Sequence, residues 1–343
     1  MNTRAALVGL LLLALATTAC SASPRSTATT TSPPATVPTP APVAKPVVGV
    51  LTETFVDRRR PTPANGACPA LPSRTLVTTI LYPATAALPA ATPQPGAAPA
   101  RAGGPYPLIV FAHGLDATPQ FYGGLLTYWA AAGYVVAAPR FPLSSSTSPC
   151  GPVASDVVNQ PGDVSDVITS VLMISAGSSG PLAGMVDPTE IGVAGHSDGA
   201  ITVVGLVANT CCRDPRVKAA VVLAGAAAGF PDGRYDFLLS PPILVVHGTD
   251  DPLIPYADGV DVFNSARGPK GLLTLIGGAH GSAALVPEVG AATTDFFDAY
   301  LRGDASAPAR LAGDGRAGLS TMRFVATPGS TVTVAPATPA AAP

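Results

Sequence analysis

Ser197, in the pentapeptide Gly195–Gly199, is the residue of this sequence with the clearest capacity for chemistry. The pentapeptide reads G-x-S-x-G, and its flanks match what that motif requires. Residues 190–194 form a short, apolar and partly β-branched segment, which predicts a buried strand. The apolar residues 200–208 predict a helix. Glycines at a sharp strand-to-helix turn avoid a Cβ clash, and a serine on such a turn stands exposed as a nucleophile.

A serine nucleophile needs a base, and histidine is the side chain best suited to take its proton near neutral pH. The chain has only four histidines. His113 and His247 end predicted strands, and His196 directly precedes the serine. His280 alone follows both the serine and the acid candidates, in the glycine-rich loop Gly277–Gly281 between a predicted strand and a predicted helix. Such a loop lets an imidazole swing over the serine, so His280 is the predicted base.

Two adjacent carboxylates, Asp250 and Asp251, are the candidates for the acid that supports this base. Both follow the predicted strand 243–247, and the chain order serine, acid, histidine is the one that this kind of turn requires. The carboxylate accepts the Nδ1–H of the imidazole, fixes its tautomer and stabilises the imidazolium. Spacing alone leaves both residues open, because one of the two can be a turn residue that bonds its own backbone.

Two backbone N–H groups are needed to stabilise the negative oxygen that forms when a serine attacks a carbonyl. Asp198, directly after the serine, is predicted to supply one of them. Leu115, in the loop after the predicted strand 108–112, is predicted to supply the other. The side chains of Asp116 and Asp198 are expected to turn to solvent or to local hydrogen bonds, and neither receives a chemical role.

The elements that must position these residues alternate between strands and helices. This alternation predicts an α/β fold with a mostly parallel central sheet and helices on both faces. Two earlier strands, 47–56 and 75–82, have no helix between them and are predicted to form an antiparallel edge. The later predicted strands are 108–112, 134–138, 191–194, 217–224, 243–247 and, as the last one, 272–276; the predicted helices are 121–132, 157–175, 200–208, 256–266 and, as the last one, 288–301.

The N-terminal residues 1–19 predict an export signal. Arg4 precedes an apolar run of twelve residues, which is too short to span a bilayer but typical of a signal-peptide core. Cys20 follows a small residue directly after this run. That arrangement resembles a bacterial lipoprotein signal, so Cys20 is a predicted lipidation site and the protein is expected to attach to the membrane through a lipid anchor. Ordinary secretion, with cleavage near Ala19 or Ala22, is the alternative.

Composition divides the rest of the chain into three parts. Residues 20–46 are rich in Ser, Thr, Pro and Ala and predict a disordered tether, and residues 326–343 predict a disordered tail. Residues 47–325 form the predicted folded domain. In the whole chain of 343 residues, 47% are hydrophobic and the net charge is −2, which gives no nucleic-acid footprint. No metal or organic cofactor is implied, and oligomeric state is left open.

Four cysteines remain for the exported domain: Cys68, Cys150, Cys211 and Cys212. An even number in an exported protein predicts two disulfides, with three possible connectivities. A bond between the adjacent pair is one of these, and the sequence leaves the choice open. A metal role is the weaker interpretation, because no cysteine has a histidine nearby at ligand spacing.

Taken together, these residues resemble an α/β-hydrolase of the dienelactone hydrolase, chlorophyllase-like and bacterial cutinase-type branch, over roughly residues 47–325. The stretches that carry the resemblance are Ile109–Leu115, Gly133–Pro139, Gly195–Gly199, and His247–Pro255 with His280. In family members the acid of the catalytic triad is the Asp of His-Gly-Thr-x-Asp-x-x-x-Pro, which implies Asp251 here. Residues 156–164 also resemble actinobacterial secreted hydrolases. Dienelactone hydrolases use a Cys nucleophile, so Ser197 indicates esters as substrates.

No large cap domain is expected, because only 18 residues separate Ala224 from Ile243. An open cleft suits exposed or bulky extracellular esters, lipid or polyester-like, whether small molecules or polymers. Phe141 and Tyr122 are candidates to line it, whereas Trp129 fits a helix core. The leading hypothesis is a serine carboxylic ester hydrolase with an acyl-enzyme intermediate. The alternatives are a serine peptidase or amidase on the same fold, and a catalytically inactive surface lipoprotein.

Overall fold

The computed structural model describes residues 47–85, 92–228 and 230–326. The described residues belong to one compact unit. The predicted export signal, the lipidation site Cys20 and the predicted tether lie outside the described residues. So does the predicted tail, apart from its first residue.

Eleven strands of the described residues form one sheet, in the spatial order β11-β10-β9-β8-β7-β5-β6-β2-β1-β3, with β4 beside β2. The six strands β5 to β10 pair in parallel, whereas β1 and β2 pair antiparallel at one edge and β11 at the other. The strands are β1 (Val47–Asp57), β2 (Arg74–Thr85), β3 (Gln94–Pro95), β4 (Ala98–Pro99), β5 (Tyr106–Ala112), β6 (Val135–Arg140), β7 (Val186–His196), β8 (Val217–Leu223), β9 (Ile243–Gly248), β10 (Lys270–Leu275) and β11 (Ser320–Val325).

Helices cover both faces of this sheet, which confirms the predicted fold class. Side chains of α2, α3 and α4 pack in one apolar core, and those of α1, α5, α6 and α7 pack in the other. The central strands β5 and β9 are buried along their whole length, as parallel strands between two helical layers must be. The helices are α1 (Gly123–Ala131), α2 (Gln160–Ala176), α3 (Asp198–Ala208), α4 (Tyr256–Ser265), α5 (Ser282–Leu285), α6 (Pro287–Leu301) and α7 (Ala307–Ala312).

The end of the domain differs from the sequence prediction. Residues 272–276 and 288–301 were expected to be the last strand and helix, but α7 and β11 follow them, so that expectation is wrong. In β11, Met322 and Phe324 are buried and alternate with exposed residues. Only two strongly apolar residues face the core there, because an edge strand has one buried face, and the pattern is too short to stand out in the sequence.

A fully buried arginine, Arg74 at the start of β2, fastens the sheet to the segment that precedes and begins α2. Its guanidinium donates to both carboxylate oxygens of Asp156, at 3.0 and 2.7 Å, and to both of Asp163, at 2.7 and 2.6 Å. Three buried charges of this kind are tolerated only when they are paired. The resemblance of residues 156–164 to secreted hydrolases therefore coincides with an ionic anchor of the fold.

The connection from β8 to β9 is short. Its described residues contain one 3-10 turn, Phe237–Leu239, and no α-helix. Among the helices that the structure describes, none is long and apolar enough to cross a membrane.

Candidate active site

The predicted site residues meet at one edge of the sheet. Leu115 follows β5, Ser197 follows β7, Asp251 follows β9 and His280 follows β10, and these four strands are parallel. Loops after the carboxyl ends of parallel strands gather at the same edge, which is where open α/β sheets bind their ligands. The topology therefore collects groups that lie far apart in the sequence.

Ser197 occupies a strained turn between β7 and α3. Its φ of 57° and ψ of −125° lie where residues other than glycine are rare. The glycines on either side are required by close approach: a Cβ at Gly195 would clash with the carbonyl of Gly199, and a Cβ at Gly199 would clash with the carbonyl of Ala112. The serine N–H donates to the carbonyl of Leu223 at 3.0 Å, which holds the strained turn against β8.

Asp251 and His280 are hydrogen-bonded to each other. Nδ1 of His280 lies 2.7 Å from Oδ2 of Asp251, whose side chain is shielded from solvent. The other oxygen, Oδ1, accepts the N–H groups of Leu253 and Ile254 at 2.9 and 3.0 Å. Burial alone would raise the pKa of Asp251, but these three hydrogen bonds hold it below its usual value of 3.8. An ionised Asp251 fixes the proton of His280 on Nδ1 and leaves Nε2 free as a base.

Asp250 makes different contacts. Its carboxylate is exposed and accepts a hydrogen bond from the hydroxyl of Thr249 at 2.9 Å, while its N–H donates to the carbonyl of Gly278 at 3.0 Å. Of the two acid candidates, the structure brings only Asp251 to the histidine. The pairing agrees with the assignment that the family resemblance implies.

His280 contacts His196, the residue directly before Ser197. Nε2 of His196 lies 3.0 Å from the carbonyl oxygen of His280, and the two imidazole centroids are 4.7 Å apart. Within the described residues the hydroxyl of Ser197 makes no hydrogen bond. Bonds between nucleophile and base are often long without a substrate and tighten when one binds.

Tyr122 and His196 form a polar link that sequence reasoning missed. Because Nε2 of His196 faces a carbonyl, it must carry the proton, and Nδ1 accepts the hydroxyl of Tyr122 at 3.0 Å. That hydroxyl in turn accepts the N–H of Gly114 at 3.1 Å. Burial lowers the pKa of His196 to about 4, so this arrangement is neutral and stable near pH 7. The partners lie 74 residues apart in the chain, and no local sequence pattern predicts a contact between them.

The loop Gly114–Asp116, here called the oxyanion loop, offers one unpaired N–H. The N–H of Gly114 donates to the hydroxyl of Tyr122, and the N–H of Asp116 donates to the carbonyl of Ser144 at 2.8 Å. The amide of Leu115 makes no hydrogen bond among the described residues. The amide of Asp198 is the first of α3, where a helix has no acceptor of its own. The two predicted donors are therefore both available to a ligand.

His113 holds the carbonyl group of Gly114 in the same loop. Its Nε2 accepts the N–H of Phe141 at 3.0 Å, so its proton lies on Nδ1, which donates to the carbonyl of Gly114 at 2.8 Å. The ring is fully buried, and burial lowers its pKa to about 4. His113 is thus a neutral structural residue.

Two side chains are placed differently from their expected positions. Oδ2 of Asp198 is buried without a hydrogen-bond partner, so this oxygen turns neither to solvent nor to a local bond. Burial raises its pKa above 3.8, and the charge of His280 partly offsets that rise. Phe141 is fully buried in the core and does not line a cleft. Tyr122 is also buried, with its hydroxyl in the network above, but it lines an apolar cavity at the start of α1. Trp129 lies in the core as expected.

Two disulfides connect the four predicted cysteines. Cys68 pairs with Cys150, and the adjacent residues Cys211 and Cys212 pair with each other. The vicinal connectivity is therefore the one of the three that the structure contains. Within the described residues, no group of three or more His, Cys, Asp or Glu side chains could hold a metal ion.

This sheet order, the strained serine turn and the loops that collect at one edge define an α/β-hydrolase fold. Comparison with known proteins agrees. The chlorophyllase family model matches residues 78–229, which include Ser197 and Leu115. A solved structure, the ferulic acid esterase from Streptomyces cinnamoneus, superposes with a TM-score of 0.55 at 21% identity and covers 77% of this chain and 93% of that chain. No curated protein sequence matches this chain.

The chain has an α/β-hydrolase fold, and the match to the chlorophyllase family model supports the chlorophyllase- and dienelactone hydrolase-like esterase branch. The resemblance inferred from the sequence is thereby confirmed. The comparisons also support a carboxylic ester hydrolase. The roles of individual residues stay predictions.

Proposed function

We propose that this protein hydrolyses carboxylic esters through a Ser197–His280–Asp251 triad and an acyl-enzyme intermediate. One observation carries the proposal: Nδ1 of His280 lies 2.7 Å from the buried carboxylate of Asp251, and His280 contacts His196, the residue before the strained and partly exposed Ser197.

The reaction begins when Nε2 of His280 takes the hydroxyl proton of Ser197 and the oxygen attacks the ester carbonyl. The carbonyl oxygen becomes negative and accepts the N–H groups of Leu115 and Asp198. Nε2 then returns the proton to the alkoxide of the leaving alcohol, which leaves an acyl group on Ser197. Water repeats the sequence, with His280 again as the base, and releases the carboxylic acid. Asp251 stays ionised and stabilises the imidazolium in both halves.

The substrate class that the site favours is an exposed or bulky ester, lipid or polyester-like. Leu115 and Leu253 are large apolar residues with exposed side chains. Leu115 carries the predicted oxyanion donor on its backbone, and the backbone N–H of Leu253 bonds the acid Asp251. Apolar surface beside a reacting centre favours substrates with an apolar body. The short connection between β8 and β9 supports a cleft that a large ester can approach.

The decisive experiment compares wild type with Ser197→Ala on 4-nitrophenyl acetate and on the matching amide, 4-nitroacetanilide. The proposal predicts ester turnover that is lost in Ser197→Ala and exceeds amide turnover in wild type. Faster cleavage of the anilide would favour the peptidase or amidase alternative. Equal ester turnover by wild type and variant would contradict the nucleophile, and no turnover by either protein would favour the inactive lipoprotein.

We also propose that the protein works outside the cytoplasm on a lipid anchor at Cys20, with secretion as the alternative. Two disulfides in the folded domain are compatible with an oxidising compartment. The test is metabolic labelling with an alkynyl fatty acid, with Cys20→Ala as the control. Label on wild type but not on the variant supports the anchor, and unlabelled protein in the medium supports secretion.

A further inference from the structure

An apolar cavity of about 230 Å³ lies between the start of α1 and the segment from α5 to α6. Three large side chains around it are unusually exposed: Phe121 at 56%, Tyr128 at 47% and Leu285 at 55%. None of the residues that line it is charged. Burying apolar side chains lowers the free energy of a protein in water, so apolar side chains that stay exposed around a concavity indicate a surface that a ligand covers.

The cavity adjoins the proposed catalytic centre on two sides. Tyr122 lines it and reaches with its hydroxyl to Gly114 and His196. A Cβ at Gly114 would lie 3.2 Å from that hydroxyl and 3.0 Å from the Cβ of Ser197. The tyrosine hydroxyl and the serine therefore both lie close to Gly114. The opposite wall belongs to α5, which begins two residues after His280.

The position of the cavity identifies which half of an ester it can receive. The leaving oxygen must come within hydrogen-bond reach of Nε2 of His280 to collect its proton. The alcohol half of the ester therefore lies on the histidine side of the scissile bond. The cavity wall formed by Ala284 and Leu285 continues directly from the loop of that histidine.

The size and lining of the cavity identify the kind of group. An apolar protein cavity of about 150 Å³ holds one benzene molecule, so about 230 Å³ accommodates one aromatic ring with a small substituent. The rings of Phe121, Tyr122 and Tyr128 offer the edge and offset contacts that aromatic pairs prefer. The ring of Tyr128 lies against Gly290, where an added Cβ would be only 3.2 Å away, so its position is defined by the backbone beneath it.

We propose that this cavity binds the alcohol half of the ester, an uncharged group built on a single aromatic ring. The proposal rests on the proposed function, because it assigns a substrate class to the same site. It makes the protein an esterase that distinguishes substrates by their alcohol and not by their acid.

Two adjacent glycines in the first turn of α1 provide a matched test. A Cβ at Gly123 or at Gly124 would meet no atom within 4 Å, and only Gly124 lines the cavity. Both are helical positions where leucine is a better helix former than glycine, so neither substitution should unfold the protein. Gly124→Leu is expected to narrow the cavity, and Gly123→Leu adds the same side chain to the same turn at a residue that does not line it.

The readout is the ratio of kcat/KM for benzyl acetate to kcat/KM for methyl acetate. Gly124→Leu is expected to lower this ratio at least tenfold, chiefly through KM, and Gly123→Leu to leave it unchanged. In methyl phenylacetate the ring belongs to the acid half. The ratio of kcat/KM for methyl phenylacetate to kcat/KM for methyl acetate is expected to stay unchanged in both variants. An unchanged benzyl ratio in Gly124→Leu overturns the proposal, and so does a fall confined to methyl phenylacetate.

Direct binding separates this proposal from the proposed chemistry. Benzyl alcohol is titrated against wild type, both glycine variants and Ser197→Ala, with ligand NMR as the readout. We expect binding that is lost in Gly124→Leu and kept in the other three proteins. Failure of the triad would appear as ester turnover in Ser197→Ala, with this binding pattern intact. Benzyl alcohol that fails to bind wild type would overturn the cavity assignment, whatever the turnover.

Discussion

Replacing Asp251 with asparagine tests how the site sets the protonation of its base. Oδ1 of Asp251 accepts two backbone N–H groups, so an asparagine must keep its amide oxygen there. Its NH₂ group then faces Nδ1 of His280, where Oδ2 now lies at 2.7 Å. A donor at that place forces the imidazole proton to Nε2, and the base loses the lone pair that attacks the serine proton.

The wrong tautomer costs about 10⁴-fold in kcat in a serine triad, which corresponds to roughly 5.4 kcal/mol of barrier. The assay is 4-nitrophenyl acetate hydrolysis by wild type, Asp251→Asn and Asp250→Asn. The neighbouring carboxylate is exposed and bonds only the hydroxyl of Thr249, so Asp250→Asn is expected to stay within about twofold of wild type. Thermal unfolding of all three proteins verifies folding. A normal rate in Asp251→Asn with a collapsed rate in Asp250→Asn would refute the reasoning.

Three further variants test individual contacts of the site and of the fold. Tyr122→Phe removes the hydroxyl that joins the oxyanion loop to the serine turn; kcat for 4-nitrophenyl acetate should fall about 10- to 100-fold with KM little changed, and an unchanged kcat would contradict the link. Burial raises the pKa of Asp314 to about 7, so the native state loses stability as the pH rises from about 4 to 7. The unfolding midpoint of Asp314→Asn should therefore exceed that of wild type within this pH window and not below it. A difference between the two midpoints that does not depend on pH would contradict the burial of this carboxyl. The Cys68–Cys150 bond spans 82 residues, and its double alanine variant should unfold about 4 kcal/mol more easily in denaturant titrations, well beyond the effect at the vicinal pair 211–212, which closes no long loop.

The part of the fold that the sequence predicts well is the part with strong, repeated patterning. The strands before Leu115 and Asp251 are largely apolar, and so is the end of the strand before Ser197, and their spacing by helices implies a parallel sheet whose loops meet at one edge. The order in which Ser197, Asp251 and His280 reach that edge along the chain could be predicted for the same reason. Elements with a weak pattern, α7 and β11, were missed because they are short and half exposed.

The contacts that set the site's electrostatics lie beyond sequence patterning. The Tyr122–His196 link, the tautomer of His113 and the unpaired oxygen of Asp198 all depend on side-chain directions between distant segments. The choice between Asp250 and Asp251 is of the same kind. Both residues follow one strand, and only their orientation toward His280 separates them.

The central claim is that Ser197 is an activated nucleophile, and covalent labelling tests it most directly. Wild-type protein is treated with a fluorophosphonate, digested and mapped by mass spectrometry, beside Ser197→Ala and Asp251→Asn. The account predicts one adduct per chain, located on Ser197, absent from Ser197→Ala and formed much more slowly in Asp251→Asn. No adduct on wild type, or an adduct that persists in Ser197→Ala, would contradict it.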